Sequence, residues 1–202
     1  MPTQNLYPNA AGDLTQFTTV SPSGNHFEVV DDGILSDGGS GAADDDTSFI
    51  RSGFDESSET WSIVIKENST TTAVAKSATG TYANYTNEFT VKPSDSNAFT
   101  VTDINNLQIG VNFTGPDNPT DQTDLFNIED WPHNSGDTIN SVTVTARWKS
   151  SGTAAFSHMT CTQVFATVNY TAAAGPTTGP FKIQAGAKLK ITSGKFKIGE
   201  IE

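Results

Sequence analysis

The residues that could do chemistry in this chain are few. Cys161 is the single cysteine, so a disulfide within the chain is excluded. A cysteine nucleophile needs a histidine and an orienting partner nearby, and His26, His133 and His158 stand in no recognisable catalytic signature. The sequence therefore predicts that Cys161 is a small buried residue of a strand, the usual environment of a free cysteine.

A carboxylate pair stands beside an aromatic residue where Glu129 and Asp130 precede Trp131. Glycosidases use two carboxylates that flank one bond. Adjacent residues of a strand or turn point in different directions, so these two do not form such a pair. The chain also contains no Gly-rich phosphate loop, no Cys/His metal spacing and no Gly-x-Ser-x-Gly elbow. We predict that the protein is not an enzyme and needs no cofactor.

Calcium is the metal to consider, because Asp44, Asp45 and Asp46 follow one another in a Gly- and Asp-rich stretch. Calcium takes several oxygen ligands at once, but the spacing here is not that of an EF-hand loop. A solvated acidic turn is the favoured interpretation, with calcium at these aspartates as the alternative.

Aromatic residues in predicted loops suggest a second kind of site. Trp131, Tyr82 and Tyr85 could stack on sugar rings, as in lectin-like domains. Packing in the core is the more common fate of aromatic residues in a β domain.

The charge distribution separates the chain into two parts. Residues 1–180 hold 21 Asp and Glu against 6 Lys and Arg, a net charge of −15, whereas residues 181–202 hold 5 Lys against 2 Glu, a net charge of +3. An acidic body disfavours nucleic-acid binding, which needs a basic face. No apolar run is long enough to span a membrane, and the first residues contain no secretory signal.

Alternating apolar and polar residues predict strands. The clearest strand lies within residues 124–149, where Val142, Val144, Ala146 and Trp148 share one face. Similar alternation marks residues 59–66, 107–114 and 162–170. Roughly nine or ten short strands, with turn signals every ~8–12 residues, are typical of an all-β sandwich.

Other elements are less regular. We predict turns over residues 7–13, a strand over residues 26–30, a short apolar turn over residues 124–128 and a loop over residues 131–137. A single helical turn over residues 103–107 would take Asp103 as its N-cap.

The C-terminal part differs from the body. We predict a sandwich domain over residues 1–170, a Gly/Pro/Thr linker over 171–180 and a basic hairpin-like tail over 181–202. Phe-Lys-Ile at residues 181–183 recurs as Leu-Lys-Ile at 189–191 and as Phe-Lys-Ile at 196–198. An isolated hairpin is marginal in water, so the tail needs a partner: its own body, a neighbouring subunit or another protein. Its predicted contacts are the apolar anchors Phe181, Ile183, Leu189, Ile191, Phe196 and Ile198, with Lys182, Lys190 and Lys197 on the opposite face.

Several blocks together resemble a group of tailed-bacteriophage structural proteins with a lectin-like jelly-roll domain. These blocks are residues 7–13, 26–32, 44–50, 124–128, 139–149 and 161–170. The resemblance covers about residues 5–172. In similar proteins the 124–149 block comes soon after the 44–50 block, whereas here it follows the strands at 61–66 and 107–111. This order implies a rearranged strand sequence.

The resemblance implies an all-β antiparallel sandwich of jelly-roll type. The tail over residues 181–202 lies outside the resemblance, and its own pattern predicts a C-terminal β-strand extension of this sandwich. It implies a structural protein of the virion, either a capsid decoration or a tail or fibre component. The partners expected are other virion proteins and copies of the chain itself, in a homo-oligomer such as a trimer. The alternative function is a glycan-binding module used in adsorption.

Overall fold

A computed structural model describes residues 1–17, 19–21, 24–30, 49–51, 60–114, 122–134, 136–153 and 156–173. In chain order its strands are β1 (Thr3–Leu6), β2 (Pro8–Thr15), β3 (Thr19–Ser21), β4 (Phe49–Arg51), β5 (Thr60–Glu67), β6 (Thr70–Lys76), β7 (Ala83–Phe89), β8 (Gln108–Thr114), β9 (Gln122–Ile128), β10 (Thr138–Thr153) and β11 (Phe156–Thr171). A 3-10 turn covers Phe27–Val29, and one short helix, α1, covers Val101–Asn105.

The strands form two antiparallel sheets. The first sheet has the order β3-β4-β11-β10-β7, and β1 pairs with the end of β11 beyond β4. The second sheet has the order β2-β9-β8-β5-β6. The prediction of an all-β antiparallel sandwich is confirmed. No helix among the described residues is long and apolar enough to cross a membrane.

The core lies between the two sheets. The second sheet contributes Trp61, Ile63 and Ile65 from β5 and Ile109, Val111 and Phe113 from β8; the first contributes Val142, Val144, Ala146 and Trp148 from β10 and Val164, Ala166 and Val168 from β11. Each set alternates along its strand, as the sequence predicts, because successive side chains of a strand point to opposite faces.

The strand predicted over residues 26–30 is wrong. The Phe27–Val29 segment is a 3-10 turn, and the carbonyl of Val30 accepts a hydrogen bond from Val164 N at 2.9 Å. Val29 and Val30 are both buried although they are adjacent. The turn lies against the edge of β11 between the residues that pair with β4 and those that pair with β1.

The turns predicted over residues 7–13 and 124–128 are also wrong, because these segments lie in β2 and β9, which pair with each other. Asp124, Leu125 and Phe126 are buried in succession, so β9 is covered on both faces and shows no alternation. Gly110 of the neighbouring β8 has to be glycine, because a Cβ there would lie 1.8 Å from the carbonyl oxygen of Asp124.

The predicted N-cap of the helical turn is wrong as well. Thr100 is the N-cap of α1, and Asp103 is the third helical residue. Asp103 N donates to Thr100 Oγ1 at 3.2 Å, and Thr100 N donates to Asp103 Oδ2 at 2.8 Å. This reciprocal pair is a capping box, in which two otherwise unpaired N–H groups are satisfied.

Candidate functional site

Two of the three aromatic glycan candidates lie near the end of the sandwich where β5 begins. Tyr85 stacks on Trp148, with ring centroids 4.5 Å apart and an interplanar angle of 14°. Trp148 in turn lies 6.3 Å from Trp61, and Trp61 meets Phe113 edge to face at 5.7 Å. Tyr85 therefore extends the core outward, and one of its ring faces is occupied by Trp148.

Tyr82 lies on the outer side of β10. Lys149 Nζ is 4.2 Å from its ring centroid, and Arg147 Cζ is 5.5 Å from it. These distances are those of cation–π contacts. The Tyr82 ring thus contacts two of the six basic side chains that residues 1–180 contain.

A groove of about 480 Å³ lies beside Trp61, where β5 begins and β6 ends. Its lining includes Thr60, Ser77 and Ser150, which carry hydroxyl groups, and Lys76, which carries an ammonium group. Lys76 Nζ also donates to Asn87 Oδ1 at 3.2 Å, a contact that joins β6 of one sheet to β7 of the other. No signal in the sequence indicated this groove, because it depends on the packing of the two sheets.

Trp131 follows β9 and lies near the opposite end of the sandwich. Its side chain is only 6% exposed. It packs edge to face on Tyr170 at 5.0 Å and lies 4.8 Å from His133, while its backbone N–H donates to Asn105 Oδ1 at 2.7 Å. Trp131, Tyr82 and Tyr85 therefore do not form one site, and little of the Trp131 ring is open to a sugar.

Asp124 is a buried carboxylate that the sequence did not indicate. It has no exposed surface. Oδ1 accepts the backbone N–H of Gln16 at 2.6 Å and that of Phe17 at 2.9 Å, and Oδ2 contacts His26 Nδ1. Asp124 therefore joins the N-terminal segment, including the 3-10 turn, to β9. Each of its oxygens has a partner, so its arrangement is that of a structural residue.

Glu67, the last residue of β5, is a second buried carboxylate, 5% exposed. Oε2 accepts a hydrogen bond from Ser94 Oγ at 2.6 Å, whereas Oε1 is buried and has no hydrogen-bond partner. Glu67 also lines a cavity of about 50 Å³ between the β5–β6 turn and α1. Such an unsatisfied buried oxygen is rare in folded proteins and calls for an explanation.

The charges beside this cavity belong to Lys92, Asp95 and Asp103. Lys92 Nζ lies 3.1 Å from Asp95 Oδ2 and 3.4 Å from Asp103 Oδ1. Burial alone would raise the pKa of Asp103, but hydrogen bonds from Thr100 and the charge of Lys92 outweigh it, so its pKa lies below the ordinary value. The hydrogen bonds of Asp95 with Asn97, first of all from the Asn97 backbone N–H, and its contact with Lys92 lower the pKa of Asp95.

Cys161 is fully buried, as the sequence predicts. Burial raises the pKa of its thiol to about 12, and the nearby Asp124 adds to the effect. A thiol that stays protonated is a poor nucleophile. The residue belongs to the core cluster and is paired with Trp148 of β10 and with Ile50 of β4.

Several predicted site residues lie outside the described residues: the tail anchors of residues 181–202 and the aspartates Asp44, Asp45 and Asp46. Within the described part of the chain, no group of three or more His, Cys, Asp or Glu residues is arranged to hold a metal ion. The sequence matches no protein-family model, and neither a curated protein nor a solved structure matches the chain.

Proposed function

We propose that this chain is a structural subunit of a tailed-bacteriophage particle, a capsid decoration or a tail or fibre component. It acts by subunit association, and residues 181–202 form the arm that docks on a neighbour. The resemblance of its blocks to such proteins supports the assignment to the virion. We also propose that the strand arrangement is a rearranged jelly roll.

The observation that carries the association is a pair of strand edges, on one side of the sandwich, that no other described strand covers. Among the described strands, β6 pairs only with β5, and β7 pairs only with β10. The Lys76–Asn87 hydrogen bond places these two edges next to each other. Exposed edges offer unpaired N–H and C=O groups, and natural proteins usually pair or cover them.

The arm suits such an edge in both pattern and charge. Its repeated Phe-Lys-Ile units alternate apolar and basic residues, as a half-buried strand does. Strand addition would supply backbone hydrogen bonds from the edge and apolar contacts from alternate side chains. Its net charge of +3 is opposite to the net charge of −15 on residues 1–180, and this difference favours encounter between copies.

Deletion of residues 181–202 tests this proposal. We expect the full chain to sediment as an oligomer and the deletion variant as a monomer with an unchanged circular dichroism spectrum. A second variant keeps the arm but replaces Lys182, Lys190 and Lys197 with glutamate, and this reversal of charge should weaken association at low salt. A deletion variant that keeps the full oligomeric mass and still co-sediments with particles would contradict the proposal.

A second candidate function is glycan binding, which the groove beside Trp61 favours. Its hydroxyl groups and Lys76 could hydrogen-bond a sugar, and ligand sites commonly combine a concave shape with a few polar groups. Ser77→Trp would fill the groove and should abolish binding on a glycan array. Trp131→Phe, near the other end of the sandwich, should leave binding unchanged. Absence of binding to every sugar by the unmodified protein would remove this candidate.

A further inference from the structure

The side chain of Glu67 carries a buried oxygen that has no hydrogen-bond partner. Position 67 is in phase with Trp61, Ile63 and Ile65, so β5 directs the Glu67 side chain toward the interior. Its Oε2 is satisfied by Ser94, but Oε1 is buried without a partner. Removal of a carboxylate oxygen from water without a replacement partner is unfavourable. A cation beside Oε1 would compensate for the loss.

The space beside Glu67 has the size for one ion. The cavity of about 50 Å³ is lined by Glu67, Asn68, Thr102, Asp103 and Asn106. One water molecule occupies about 30 Å³ of liquid. All five lining residues carry side-chain oxygens: two carboxylates, two amides and one hydroxyl. An oxygen-only set of this kind suits calcium, which accepts mixed carboxylate, amide and water ligands in flexible geometry.

Local structure holds these residues in place. Asn68 has φ 52° and occupies the first position of the two-residue turn between β5 and β6, where a positive φ is required. The capping box with Thr100 holds Asp103 at the start of α1. Asn106 Nδ2 donates to the carbonyl of Thr102 at 2.8 Å, so Oδ1 is the atom of that amide that could bind a cation.

The net charge of the side chains around the cavity also favours a bound cation. Glu67 and Asp103 bring two negative charges to the cavity. Lys92 is the basic side chain paired with Asp103, and it also pairs with Asp95. Glu67, Asp95, Asp103 and Lys92 together therefore keep a formal charge of −2. We propose that Glu67 and Asp103, with the oxygens of Asn68, Thr102 and Asn106, form a calcium site between the β5–β6 turn and α1.

Titration calorimetry with calcium chloride tests the site on the full chain. We expect one calcium ion per chain, and we expect Glu67→Gln to weaken its affinity by about tenfold or more. Glu88→Gln, which changes an exposed glutamate on β7, is the matched control and should bind as the unmodified protein does. Magnesium should bind more weakly than calcium, because it demands near-ideal octahedral geometry.

Two further variants keep the test decisive. Asn68→Gly preserves the positive φ while it removes one amide ligand, so it should fold normally and bind calcium more weakly even if Glu67→Gln misfolds. Replacement of Asp44, Asp45 and Asp46 with asparagine should leave this ion bound. The proposal is overturned if calcium gives no heat of binding, in which case the cavity holds water only. It is also overturned if Glu67→Gln and Asn68→Gly bind calcium normally, or if only the triple asparagine variant loses it.

Discussion

Asp124 and Glu67 are both buried carboxylates on the second sheet, but they differ in how their oxygens are satisfied. Asp124 accepts two backbone N–H groups and contacts His26, whereas Glu67 accepts one hydroxyl and leaves Oε1 without a partner. The folded chain therefore supplies a partner for each oxygen of Asp124. Glu67 does not, and a small cavity lies beside it. Asp124 is thus a carboxylate that stabilises the fold, whereas Glu67 is the one that we propose binds a ligand.

The largest effect is expected from Asp124→Ala. Removal of the carboxylate leaves the N–H groups of Gln16 and Phe17 without their acceptor and takes the partner from the half-buried His26, so the free energy of unfolding should fall by about 3–5 kcal/mol. Urea denaturation at neutral pH measures it. Asp130→Ala, at an exposed position beyond β9, is the control and should change stability by no more than about 0.5 kcal/mol. Equal losses in the two variants would show that Asp124 has no special role.

His26→Ala should have a smaller effect of the same kind. Asp124 keeps its two backbone partners in this variant, so we expect a loss of about 1–3 kcal/mol. The double variant with Asp124→Ala should lose clearly less than the sum of the single losses, because the residues contact each other. Strict additivity would mean that the His26–Asp124 contact contributes nothing.

Asp103→Ala should lower the free energy of unfolding by about 1 kcal/mol through loss of the capping box. The pKa of Asp103 is lower in the folded protein than its ordinary value, so its ionised form stabilises the fold. This contribution is present above about pH 4, the ordinary pKa of the group, and is lost as the pH falls through the lower folded pKa. The difference between the unmodified protein and Asp103→Ala should therefore shrink in acid. Urea denaturation with a chelator present, at neutral pH and at about pH 3, measures it; a constant difference would contradict the assignment.

The smallest effect without calcium is expected from Glu67→Gln. The amide oxygen can still accept from Ser94, and removal of an uncompensated buried charge offsets any loss, so stability should stay within about 1 kcal/mol or rise. Thermal unfolding in a chelator checks this expectation. A loss as large as that of Asp124→Ala would mean that Glu67 is itself a structural residue.

The sequence predicts the parts of the fold that depend on local alternation. Ile63 and Ile65 of β5, and Val142 and Trp148 of β10, are buried as expected because one face of each strand meets the core. The all-β class follows from the same pattern.

The failures occur where packing is not local. Residues of β9 are buried on both faces, so its sequence shows no alternation and predicts that Asp124 lies in a turn. The segment that follows His26 became a 3-10 turn because it lies against the edge of β11.

The site was harder to predict than the fold. The sequence groups Tyr82, Tyr85 and Trp131 as aromatic residues of predicted loops, yet Tyr85 lies in β7 and Trp131 lies near the opposite end from the other two. Glu67 lies one residue beyond the predicted strand 59–66. Continuing the alternation of Trp61, Ile63 and Ile65 by one step would have placed this glutamate on the buried face. The cavity beside it could not be predicted, since it depends on the approach of α1 to the β5–β6 turn.

The most direct test is the thermal unfolding of the unmodified protein, Asp124→Asn and Glu67→Gln, each with and without calcium. We predict that calcium raises the Tm of the unmodified protein and of Asp124→Asn, although the latter unfolds at a lower temperature throughout. Calcium should leave the Tm of Glu67→Gln unchanged, while its Tm in chelator stays close to that of the unmodified protein. Equal calcium shifts in all three proteins would contradict the distinction between the two carboxylates.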